Sequence, residues 1–101
     1  MKFEWDEKKN QLNIKKHKVS FEEAETVFDD PDAVYISDDP HSVYEERFIV
    51  IGITERFDDI DRILTVCYCN RDNNDEVIRI ISARRATKQE SKIYEERYSE
   101  S

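Results

Sequence analysis

Hydrophobic positions in this chain follow two periods, and the switches between them mark the elements. Residues 2–5 read as a short first strand, and Asp6 is a suitable N-cap for a helix running to about residue 17. That helix has few apolar positions beyond Leu12 and Ile14, so it is expected to face solvent. Ser20-x-x-Glu23 is a capping box, and behind it Phe21, Ala24, Val27 and Phe28 fall at i, i+3, i+6 and i+7. This stripe predicts a second helix packed on a sheet. Asp29-Asp30-Pro31-Asp32 ends it, because proline disfavours helical geometry in the residue before it. A short strand is expected over 33–37, then a turn at Asp38-Asp39-Pro40-His41.

Three β-branched runs follow, over 46–54, 62–70 and 77–84, separated by turn chemistry at Asp58-Asp59 and at Asp72-Asn73-Asn74-Asp75. They predict an antiparallel meander. Simple alternation puts Arg47 on one face with Ile49 and Ile51, and Arg84 on one face with Ser82, Ile80 and Ile78. Thr87-x-x-Glu90 is a further capping box opening a last helix to about residue 98, with Ile93, Tyr94, Arg97 and Tyr98 along one side. The expected fold is α+β: an antiparallel sheet with two N-terminal helices and a C-terminal helix, the helices covering one sheet face.

A chain of 101 residues, 38% hydrophobic and 40% charged, suits a single domain spanning 1–101 with a modest core. No apolar run approaches the roughly 20 residues of a membrane span, and the N-terminus lacks the apolar stretch of a secretion signal, so a cytoplasmic location without membrane attachment is expected. Cys67 and Cys69 alternate to the same side of one strand, but no further cysteine completes a ligand set and both histidines are distant in sequence; thiols at least partly buried are expected, with no metal. A single glycine, Gly52, excludes a phosphate-binding glycine loop, and no Gly-x-Ser-x-Gly motif exists. No cofactor is expected.

The net charge of −8 argues against a nucleic-acid partner only until its distribution is considered. Residues 8–18 carry five lysines and no acid, residues 19–46 carry ten acids and no Lys or Arg, and residues 77–88 are again purely basic. With a Debye length of roughly 8 Å, local charge governs encounter, so a basic cleft on an acidic body attracts polyanions. In the last block Arg79, Arg84, Arg85 and Lys88 gather at a strand-to-helix junction, where unpaired backbone N–H groups add to the attraction for phosphate. Bidentate guanidinium geometry suits phosphate oxygens, which makes Arg84 and then Arg47 the electrostatic candidates. The alternative for each is a salt bridge with one of the many carboxylates. His17 is the candidate general base, since imidazole ordinarily titrates near pH ~6.5, although a helix-end histidine also serves as a cap. Lys9, Asn13, Lys16 and His17 recur along one helix face able to follow a nucleic-acid backbone, with Lys15 beside them. Tyr94 either stacks on a base or packs in the core.

Ile78-Arg79-Ile80-Ile81-Ser82-Ala83-Arg84-Arg85-Ala86-Thr87, followed by a helix containing Tyr94-Glu95-Glu96, resembles the signature of BrnT-type toxins, the RelE-like ribonuclease components of bacterial type II toxin–antitoxin pairs. Phe3-Glu4-Trp5-Asp6, Asn13 to His17, Val19 to Ala24 and Val27-Phe28 are similar to that family's opening, and Glu45 to Phe48 with Ile51-Gly52 to its middle. The resemblance covers nearly the whole chain. It implies a RelE-like fold, metal-independent endoribonuclease activity that arrests translation and growth, and neutralisation by a BrnA-like antitoxin that itself binds operator DNA. Joined to the residue chemistry above, the expected catalytic residues are Arg84, Arg47, His17 and Tyr94, and the expected RNA-binding residues are Lys9, Lys15, Lys16, Arg79, Arg85 and Lys88. A module that binds RNA or antitoxin without catalysis is the competing reading. The chain departs from the family at Lys18, where glycine is common, at the long acidic connection 55–61, and at Gln89-Glu90-Ser91, a stretch usually richer in Lys and Arg.

Overall fold

The computed structural model describes residues 1–38, 46–54, 62–71 and 76–100. In chain order they form β1 (Lys2–Glu4), α1 (Glu7–His17), α2 (Phe21–Thr26) running into a 3-10 turn (Val27–Asp29), β2 (Val34–Ser37), β3 (Arg47–Ile53), β4 (Ile63–Asn70), β5 (Val77–Arg85) and α3 (Lys88–Glu100). Each element expected from the pattern is present, in the expected order. The turns expected at 58–59 and 72–75, most of that at 38–41 including His41, and the Tyr98 side chain lie outside the described residues.

The strands make one sheet in the order β1-β5-β4-β3-β2. From β2 to β5 it is the antiparallel meander that the turn chemistry predicts. β1 pairs parallel with β5, from Lys2 opposite Val77 to Glu4 opposite Arg79, so the sheet is mixed. No hairpin joins these two strands. The rest of the chain intervenes, and direction is free to be set by the path into α1.

One sheet face carries Phe48, Val50, Leu64, Val66, Tyr68, Ile78, Ile80 and Ala83, which meet Val19, Phe21, Ala24 and Val27 from the α1–α2 layer. Phe28 joins through an edge-on contact with Tyr68, centroids 5.1 Å apart, and each such aromatic pair adds about 1 kcal/mol beyond its area. Helix α3 lies on the opposite face: Glu90 bonds to Thr65 and Arg84, both of which alternate away from Leu64, Val66 and Ala83. Helices therefore cover both faces, where the pattern suggested one. The capping box of α3 binds that helix to β4 rather than only starting it.

A β-bulge sets which way the arginines point. Cys67 sits opposite Ser82 but Tyr68 sits opposite Ile80, so Ile81 is an extra residue on β5. An inserted residue reverses the alternation beyond it. Ser82 and Arg84 therefore share the α3 face, while Ile78, Ile80 and Ala83 all point into the core; grouping Arg84 with Ile78 and Ile80 does not survive the bulge.

Candidate functional site

Helix α1 is attached by polar groups, not by an apolar stripe. Leu12 is 65% exposed, and the helix's buried residues are Asn10 and Asn13. Asn13 Nδ2 donates to the carbonyls of Val19 and Ala83, each at 2.8 Å, and its Oδ1 accepts from the Ala83 N–H at 3.2 Å. This pair of bonds to one residue is what a neighbouring strand would offer. β1 reaches only as far as Arg79, and Asn13 takes over as the edge partner of β5 beyond it. Asn10 Oδ1 accepts the Phe21 N–H at 2.8 Å, an orphan donor at the start of α2. Arg62 completes the corner: Nε donates to Glu23 Oε2 at 2.9 Å, Nη2 to the Lys18 carbonyl at 3.0 Å, and Nη2 also pairs with Glu23 Oε1. Neither asparagine's clamp nor that of Arg62 was anticipated. The one local signal was a helix with asparagines at i and i+3 and no apolar stripe.

The consequence is positional. Because Asn13 holds Ala83, the last turn of α1, with exposed Lys15 and Lys16 and half-buried His17, lies beside the end of β5 where Arg84 and Arg85 emerge. Alternation turns Arg85 to the α1 side and Arg84 to the α3 side. Lys88 is exposed at the first position of α3. The end of β5 thus has Lys15, Lys16 and His17 on the same side as Arg85, with Arg84 and Lys88 on the α3 side. Lys9 is exposed near the other end of α1, and burial of Asn13 interrupts the face expected to run from it to His17.

Arg84 is not an isolated cation. Nη1 and Nη2 donate to the two Glu90 oxygens at 2.7 and 2.9 Å, and Nη1 also donates to the Arg85 carbonyl at 3.3 Å. Glu90 Oε1 further accepts from the Thr65 hydroxyl and the Thr87 N–H, both at 2.9 Å. The Arg84 hydrogen bonds, with those from Thr87 and Thr65, hold the Glu90 carboxyl down at about 2 despite its partial desolvation, and Glu90 in turn raises Arg84. The salt-bridge alternative is thus present in Arg84, on the Nη end of its guanidinium.

Arg47 and Arg79 occupy the opposite end of the same face. Arg47 is opposite Cys69, which is opposite Arg79, whereas Arg84 is opposite Thr65, four positions along β4. At about 3.3 Å per residue the separation along the strand is roughly 13 Å, so Arg47 and Arg84 serve different positions. Glu4 Oε2 lies 3.4 Å from Arg79 Nη1 and its Oε1 3.6 Å from Arg71 Nε. Between the arginines Cys69 is buried and Cys67 half-buried, neither in a disulfide and both pointing the same way. Tyr94 is 3% exposed, and its hydroxyl donates to Asp30 Oδ2 at 2.7 Å. That oxygen also accepts the Ile53 N–H at 2.8 Å, so Tyr94 anchors α3 to the sheet. Among the described residues no cluster of three or more His, Cys, Asp or Glu could hold a metal ion, and no helix is long and apolar enough to cross a membrane.

Comparison with known proteins bears on the family and the fold. No curated protein sequence matches the chain. Among solved structures, the crystal structure of the ribonuclease toxin BrnT of Brucella abortus is similar with a TM-score of 0.60 and 28% sequence identity, covering 87% of this chain and 99% of that one. The family model described as "Ribonuclease toxin, BrnT, of type II toxin-antitoxin system" matches residues 5–90, which takes in α1, the whole antiparallel meander and the Arg84–Glu90 pair. The chain belongs to the BrnT family of ribonuclease toxins of type II toxin–antitoxin systems.

Proposed function

We propose that this chain acts as one toxin domain, a metal-independent endoribonuclease that cleaves RNA in the cytoplasm and so arrests translation and growth. The observation that carries the reading is that Asn13 binds Ala83 and so sets the cationic last turn of α1 beside the end of β5, from which Arg85 and Arg84 emerge to its two sides. Cleavage by the adjacent 2′-oxygen requires alignment, proton transfer and relief of phosphorane charge. Arg84 supplies the charge, Arg85, Lys15, Lys16 and Lys88 hold the flanking backbone, and His17 is the proton acceptor. Arg47 and Arg79 grip a more distant phosphate, Lys9 makes a separate backbone contact near the start of α1, and Tyr94 acts by fixing α3.

A type II toxin has an antitoxin partner. In this reading the partner is BrnA-like, covers the α1–Arg84 corner with acidic residues, and carries the pair to operator DNA. The test is incubation of purified protein with RNA in EDTA. Cleavage that Arg84→Ala abolishes, with the thermal melt preserved, supports the enzyme; RNA binding without cleavage by the wild type supports a non-catalytic module instead. Titrating antitoxin against a non-cleavable 2′-O-methyl RNA bound to the wild type tests occlusion, because a stable ternary complex with RNA still seated at Arg84 is incompatible with it.

A further inference from the structure

A guanidinium holds five N–H donors in one plane. In Arg84, one Nη1–H and one Nη2–H point end-on at Glu90, and the other Nη1–H is directed to the Arg85 carbonyl. Subtraction leaves Nε–H and the second Nη2–H. These two lie on the same edge of the plane and project in parallel, a spacing that matches two oxygens of a phosphate. The side chain is 40% exposed, and no other described residue takes that edge. Glu90 is itself immobilised, by Thr65 from β4 and by the Thr87 N–H at the start of α3.

We infer that Glu90 is a positioning residue: it grips the Nη end of Arg84 and presents the Nε/Nη2 edge as a preset fork for the scissile phosphodiester. The inference rests on the reading of Arg84 as the phosphate-binding residue. A carboxylate serving as a mask would have to be displaced by substrate. Displacement here breaks contacts with Thr65 and Thr87 as well as Arg84, whereas the open edge admits a phosphate with all of them intact. Fixing the fork before RNA arrives spares the ordering of a long side chain in the transition state.

The test uses the full chain in single-turnover cleavage of a short RNA, alongside binding of its 2′-O-methyl analogue, for Glu90→Gln, Thr65→Val, Arg84→Ala and the Arg84→Ala/Glu90→Gln double variant. Glutamine keeps the acceptor for Thr65 and Thr87 but offers Arg84 one oxygen in place of two. Glu90→Gln is expected to slow cleavage at saturating RNA about tenfold while analogue affinity moves less than about threefold. The double variant should be no slower than Arg84→Ala alone, within about twofold, because Glu90 acts through Arg84. Should Glu90→Gln melt too early to assay, Thr65→Val carries the test, with an expected loss of about threefold. Faster cleavage or tighter binding by Glu90→Gln makes Glu90 a mask and overturns the inference, as does an additive loss in the double variant. If Arg84→Ala cleaves like wild type, the proposed function fails first. A slow Arg84→Ala beside an unimpaired Glu90→Gln defeats the positioning role alone.

Discussion

Replacing Asn13 with alanine tests whether a polar clamp, and not apolar packing, fastens α1 to the sheet. The substitution removes three hydrogen bonds, two donated to the carbonyls of Val19 and Ala83 and one accepted from the Ala83 N–H. Both partner residues are 0% exposed, so water does not readily replace the lost groups. At about 1 kcal/mol net per bond, and somewhat more for the orphaned Ala83 N–H, the loss is about 3 kcal/mol. A domain of this size has roughly 5–15 kcal/mol in total, and each kcal/mol moves Tm by roughly 4–8 °C, so Tm should fall by about 15 °C. Urea unfolding should show a lower midpoint at unchanged slope, and hydrogen exchange should show the Ala83 amide losing protection. A loss under about 1 kcal/mol with Ala83 still protected would refute the reasoning, because α1 would then be held by something other than this clamp.

Three further outcomes follow from single features. Glu90 is held at about 2, below its ordinary 4.5, so the stability it contributes is fully present above pH 4.5 and is lost as pH falls towards 2. The stability gap between wild type and Glu90→Gln, about 1 kcal/mol at neutral pH after allowing for solvent screening, should close over that window in urea melts taken across the pH range. Lys18 caps α1 in the left-handed region, at φ 60° and ψ 31°. Lys18→Gly relieves a strain of about 1–2 kcal/mol against a smaller entropic cost, so it should raise the unfolding free energy in urea by about 0.5–1 kcal/mol, and a lower midpoint would contradict this. Gly52→Ala should cost about 1–3 kcal/mol by the same assay, since its Cβ would lie 3.0 Å from both Asp30 Oδ2 and Val27 Cγ1 and 3.2 Å from Ala33 Cβ.

Much of the fold was legible because its signals are local. Asp6 and Ser20 cap the two N-terminal helices through bonds to Lys8 and Glu23, each within three residues, as their positions before the helical runs require. The stripe Phe21, Ala24, Val27 is fully buried, as period alone implied. The three β-branched runs pair as a meander because consecutive runs joined by turn residues fold back on one another. The cationic blocks were readable for the same reason: lysines on one helix and arginines at one strand end are near neighbours in sequence.

What sequence left open was decided by groups far apart along the chain. Asn13 reads as a solvent-facing residue on a cationic helix face, yet its partner Ala83 is 70 residues away, and only a β5 edge left uncovered by so short a β1 gives a buried asparagine its bonds. Arg84 reads as an alternate of Ile80 until one extra residue in β5 turns it to the other face, and a bulge shows itself in the register of two strands, not in the residues of one. The same holds for Glu90. Its capping box is local, but its grip on Arg84 exists only because the bulge and the crossing of α3 place both beside Thr65. Periodicity and capping are short-range and survive in the sequence, whereas the direction in which a side chain finally points is fixed by edges, bulges and crossings that exist only once distant segments pack.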